Sequence, residues 1–289
     1  MIAEATIPMT HRNADPLRDA ISKRLTKEPL KVPMMPQVAS KVMTLTSDPD
    51  VELSDLSNLI HRDPALAARV LQIANSAAYR GSEEIDSLQG AVQRLGMRTL
   101  SEIIFSVSLR VGVFRVPGFD AEVNQLWQHA LFSGYFAKEI AHLRGISGES
   151  LFLCGLLHTI GKLPVFQLMA SLAQQLKFVI KPETIEALLE EFHEEVSAHM
   201  AREWKLPQMV QIACSNYKNY TEAPACVEEA ATTYLADLLA KRVVWPERVD
   251  ELALPQDPVF EALHLDSGTI ETVLNLRESV EAQVAALAG

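Results

Sequence analysis

Three observations on this 289-residue chain predict an all-α fold. Asp-Pro pairs that start helices stand at Asp63-Pro64 and Asp257-Pro258, with Asp as N-cap and Pro at the first helical position. Apolar residues recur at helical spacing, as in Leu66, Val70, Ile73, Ala74 and Ala77. No alternating apolar–polar run of strand length occurs, and no internal repeat.

The elements follow in order. After the helix begun at Asp63, Asp86 and Gln89 resemble a capping box for a helix whose apolar side is Leu88, Ala91, Val92 and Leu95, with Gly96 placed to end it. A further helix is predicted over 99–113, then a break at Pro117-Gly118, then a long helix over 121–143 closed by Gly145. Leu151–Leu157 is apolar on nearly every side, which marks a central helix. Pro182 opens a charged helical segment running through Trp204, a residue expected to anchor a helix end in the core. Pro207 opens another, 225–242 forms the next, and Gly268 precedes a final amphipathic helix carrying Ile270, Val273, Leu274, Leu276 and Val280. In the stretch ANSAAY, small residues suit close helix packing, and Asn75 and Ser76 suit backbone bonding at a helix exit.

Composition narrows the function classes. With 48% hydrophobic and 22% charged residues the chain can bury a large core under a polar surface. Lys and Arg number 26 against 37 Asp and Glu, a net charge of −11. An acidic chain repels phosphate backbones, so nucleic acid is not an expected partner. Cys154, Cys214 and Cys226 are few and widely spaced, consistent with reduced thiols. No apolar run is expected to reach the roughly 20 residues that span a bilayer, and the N-terminus lacks the pattern of a signal peptide. A cytoplasmic protein without a membrane partner is expected.

Seven stretches together resemble the HDOD domain, a divergent branch of the HD superfamily of metal-dependent phosphohydrolases. They are VPMMPQVASKVM (32–43), HRDPALAARVLQIANSAAY (61–79), IDSLQGAVQRLGMRTL (85–100), LWQHALFSGYFAKEIA (126–141), GLLHTIGKL (155–163), HEEVSAHMAREWKLP (193–207) and LADLLA (235–240). DPALAARVLQIANSAAY is the most specific. Residues 1–28 are expected to form an N-terminal extension of about one helix. Residues 29–242 would be the domain, divided into an N-terminal helical part (29–116) and an HD-like core (117–242). Residues 243–289 would be C-terminal helices packed on it.

The resemblance implies a site built from two His on different helices, the Asp of an HD dipeptide and a late Asp. By position His129 matches the first His, His158 the second and Asp237 the late Asp. Thr159 occupies the place of the dipeptide's Asp. Thr is neutral and cannot supply the anionic oxygen that a bridged metal pair demands. His193 and Lys162 match further positions of the pocket, and Asn216-Tyr217 stands where a His pair often lies. The residues alone equally allow bland roles. His129 can be a half-buried His beside an apolar stripe, His158 can bond a free carbonyl at a helix end, Asp237 can be exposed or capping, and Lys162 can lie at the surface.

The loss at Thr159 points to a stand-alone regulatory protein of bacterial signalling. It would act through protein contacts, with two-component or cyclic-dinucleotide components among its expected partners, and would need no cofactor. The competing reading keeps a divalent metal on His129, His158 and Asp237, in a phosphohydrolase acting on a nucleotide or phosphodiester. A DNA-binding regulator is disfavoured by the acidic charge. The sequence assigns no catalytic residue and no oligomeric state.

Overall fold

The computed structural model describes residues 14–27, 32–46, 50, 52–176 and 179–288, and among them no strand occurs. The first half comprises α1 (Ala14–Lys27), α2 (Gln37–Thr46), α3 (Leu53–His61), α4 (Pro64–Ala74) and α5 (Leu88–Gly112). The second comprises α6 (Asp120–Leu143), α7 (Glu149–Leu157), α8 (Lys162–Leu176), α9 (Pro182–Glu203), α10 (Gln208–Asn216) and α11 (Val227–Val244). Three short C-terminal helices follow: α12 (Val259–Ala262), α13 (Ser267–Leu274) and α14 (Arg277–Ala288).

The helix starts behave as their chemistry requires. The Asp63 carboxylate accepts the backbone N–H groups of Ala65 (3.0 Å) and Leu66 (3.1 Å) with Pro64 at the first position. The Asn75 side chain closes the exit of α4 by pairing both ways with the Ile85 backbone, at 2.7 and 2.8 Å. Trp204 ends α9 buried, donating its indole N–H to the Pro33 carbonyl (2.8 Å).

Several details correct the sequence reading. The cap of α5 is Ser87, whose hydroxyl accepts the Gly90 N–H at 3.2 Å, in place of the Asp86–Gln89 box. Gly96 does end a helix as the sequence placed it: its backbone is non-helical (φ 71°, ψ 172°), and α5 is two helices joined at a kink there. The final helix is two, α13 and α14, divided at Asn275-Leu276. Cys154 and Cys214 are buried, whereas Cys226 is half-buried. The segment 149–175 is long and apolar enough to cross a membrane by length and composition, contrary to the expectation that no run would be. The chain breaks it into α7 and α8, and 83% of its apolar window is buried in the fold.

α2, α3 and α4 pack on α5; α6, α7 and α11 form the most intimate contacts of the second half. Leu151, Phe152, Leu156 and Leu157 of α7 are at most 1% exposed, which makes α7 the central rod. Burying each such side chain is worth about 1.5–3 kcal/mol. α14 ties the halves together. Its Leu287 carbonyl faces the Trp127 indole N–H of α6 (3.4 Å), and its Ala286 carbonyl accepts from Arg69 of α4 (3.1 Å).

Candidate metal centre

Two glycines of GLLHTIGK set where His158 lies. A Cβ on Gly155 would stand 2.2 Å from the Ser133 carbonyl oxygen and 2.8 Å from the Gly134 Cα, so only a bare backbone lets α7 cross α6 there. A Cβ on Gly161 would stand 2.4 Å from both the His193 carbonyl oxygen and the Ser197 nitrogen, which holds the following turn against α9. The Ser197 hydroxyl accepts the Gly161 N–H at 2.9 Å. His129, one turn before Ser133 on α6, then meets His158, the C-cap of α7, with ring centroids 5.5 Å apart. α11, lined by Ala230, Ala236 and Ala240, approaches closely enough to add Asp237.

The structure therefore brings His129, His158 and Asp237 together, with exposures of 0%, 0% and 1%. One donor atom from each lies within 4.8 Å of the others. Asp237 Oδ1 is 3.1 Å from Nε2 of both imidazoles. His158 Nδ1 is 2.7 Å from the Gly155 carbonyl oxygen, which only accepts, so that nitrogen is the donor. The ring's other nitrogen, Nε2, then faces Asp237 Oδ1 at 3.1 Å, on the side where the cluster's donors meet. His129 Nε2 is close to Asp237 without hydrogen-bond alignment, and neither of its ring nitrogens has a hydrogen-bond partner. Asp237 Oδ2 is taken by Lys241, one turn further along α11, at 2.7 Å.

Burial alone would raise the Asp237 carboxyl, but Lys241 and the two imidazoles outweigh it and hold it well below the usual carboxylate range. Burial would lower Lys241, and Asp237 more than reverses that. Burial pushes His129 down to about 4, so it is neutral at pH 7. The exposed or capping role that the sequence allowed Asp237 is thus excluded.

Lys162 is also corrected. It is 4% exposed, not a surface residue, and pairs with Glu190 at 2.7 Å. His193 is fully buried in the adjoining network. Lys218 stands 3.2 Å from its Nε2 and also binds Glu190 (2.9 Å) and Glu194 (2.9 Å). Tyr217 packs edge-on against His158 at 4.7 Å. Thr159 is buried at 1% exposure. Lys241, Glu190, Lys218 and Trp245 were missed from the sequence. Lys241 was findable as the i+4 neighbour of Asp237, and Glu190 as the i−3 neighbour of His193. Lys218 and Trp245 carried no sequence signal.

Two imidazoles and a carboxylate suit one divalent transition metal. The 3.1 Å spacings from Oδ1 to each Nε2 are close to the roughly 3 Å imposed by right-angled ligands about 2.1 Å from such an ion. A bridged pair does not fit, because Thr159 offers no anionic oxygen. A cavity of about 240 Å³, lined by Leu126, Lys162, Phe166, Glu190, Trp245 and Arg248 among others, lies alongside. None of the three donors lines it. Trp245, packed on the His129 ring at 5.0 Å and under the Arg248 guanidinium at 4.6 Å, stands between.

Comparison with known proteins points to one family. The HDOD domain matches residues 32–220. An uncharacterized protein of Treponema pallidum (strain Nichols) is 31% identical over 203 residues, 67% of this chain. The match spans only 39% of that protein's length. The crystal structure of a "putative metal-dependent phosphohydrolase" of Shewanella amazonensis SB2B superposes with a TM-score of 0.73 at 21% identity, covering 95% of this chain and 99% of its own. An HDOD domain protein of unknown function from Geobacter sulfurreducens gives 0.71 at 22% identity, covering 96% and 98%. A "putative signal transduction protein" of Marinobacter aquaeolei VT8 gives 0.69 at 22% identity, covering all of this chain and 69% of its own. At these identities the solved structures establish the fold alone.

Proposed function

Because the chain belongs to the HDOD family, we propose that it is a non-catalytic regulatory module that acts through protein contacts in bacterial signalling, in the cytoplasm. The observation that carries this reading is the closure of the cluster. Its three donors are at most 1% exposed, none lines the neighbouring cavity, and Thr159 removes the carboxylate beside His158. Hydrolysis of a phosphoester needs an accessible cation with open positions for water and phosphate. A sealed cluster serves instead as a polar pin that fixes α6, α7 and α11 in one register. The partners would be protein components of two-component or cyclic-dinucleotide pathways.

A second reading is favoured by one observation. The unpartnered nitrogens of buried His129 would be satisfied by an ion held with His158 and Asp237. Such an ion would supply Lewis acidity to a phosphohydrolase. Elemental analysis of the purified protein separates the two, combined with phosphodiesterase and phosphomonoesterase assays in added manganese, nickel or ferrous iron. Trace metal and no turnover are expected. About one ion per chain together with turnover would overturn the regulatory reading.

A further inference from the structure

We infer that Lys241 is a tethered cation that takes the electrostatic place of a metal ion in the His129–His158–Asp237 cluster. The argument is one of charge balance in a buried site. Asp237 is the cluster's single anion, since Thr159 is neutral and the imidazoles carry no negative charge. Its second oxygen is bound by Lys241 Nζ at 2.7 Å, from one turn away on the same helix. That ammonium already cancels the carboxylate. Lys162 is cancelled separately by Glu190. A divalent ion added to this arrangement would bring two uncompensated positive charges into a buried site, where a bare charge is heavily penalised. With Lys241 neutral, the same ion would leave a single excess charge on a two-imidazole, one-carboxylate donor set. The i,i+4 placement lets α11 supply anion and counterion together, so the pair forms with the helix.

This inference rests on the non-catalytic reading and fails separately from it. The test compares the wild-type chain with Lys241→Met and with Lys241→Met/His129→Ala. Each is equilibrated with Co(II), desalted and measured for bound cobalt and for visible ligand-field absorption. Wild type should keep a trace. Lys241→Met should gain at least about tenfold in retention, approaching one ion per chain, with a new visible band. The added His129→Ala should abolish both. Lys241→Gln keeps a hydrogen bond to Asp237 while removing the charge, and it should gain cobalt as well; it covers the case in which Met is not accommodated. If either folded Lys241 variant stays metal-free, the inference is overturned and the regulatory reading stands. About one cobalt in wild type, without turnover, also overturns only the inference. The same result with phosphoester turnover overturns both.

Discussion

Asp237 is the residue on which the charge balance of the cluster depends, because Lys241 and both imidazoles face it. Removing it leaves an ammonium only 19% exposed without its counterion. Asp237→Ala should therefore cost on the order of 3 kcal/mol in urea unfolding at neutral pH. Asp237→Ala/Lys241→Met should recover part of that loss, giving a coupling energy of about 1 kcal/mol or more in the double-mutant cycle. Simple additivity would refute the pairing. At this scale the sequence was a good guide to which residues meet. His129, His158 and Asp237 were all identified by position, and all three converge. Of its two readings of Lys162 the pocket position holds and the surface role fails, because burial of a usually exposed Lys depends on Glu190, 28 residues away.

At the scale of elements, α6 and α7 approach closely at Gly134 and Gly155. Gly155→Ala would press a methyl group into the Ser133 carbonyl, a clash with backbone that no side-chain rotation relieves. It should destabilise the fold by about 3 kcal/mol or more, read as a lowered urea midpoint. An unchanged midpoint would mean that the helices can separate freely, and that His158 is not held by this crossing. The helix starts at Asp63, Pro182 and Pro207 were legible because capping is chemistry local to a few residues. The cap at Ser87 was not. Asp86 and Ser87 are both good N-caps, and the choice between them depends on how the chain leaves Ile85, which Asn75 holds from α4. The division of the last helix at Asn275 was also invisible, since apolar spacing continues through it and only packing on α6 sets the new direction.

For the whole molecule, acid should be destabilising in a way that can be traced to His193. Burial, against the opposing pull of Glu190, lowers it from 6.5 to about 3, with Lys162 and Lys218 adding to the depression. Below about pH 6.5 the unfolded chain takes up a proton there that the folded chain refuses. Stability then rises with pH, and falls by on the order of 1 kcal/mol per unit from about 6.5 towards about 3. Unfolding free energies measured at pH 7 and 5 should show the loss in wild type and a smaller loss in His193→Gln. Equal losses would place the acid sensitivity elsewhere. The sequence by itself determined the fold class, most helix boundaries, the family and the identity of the cluster, because helical periodicity and capping are local and motif spacing survives divergence. Only the tertiary structure decided the cluster's surroundings: buried beside Trp245, crossed at Gly155 and ion-paired to Lys241. Burial and charge balance belong to residues that meet across helices, and no local pattern records them.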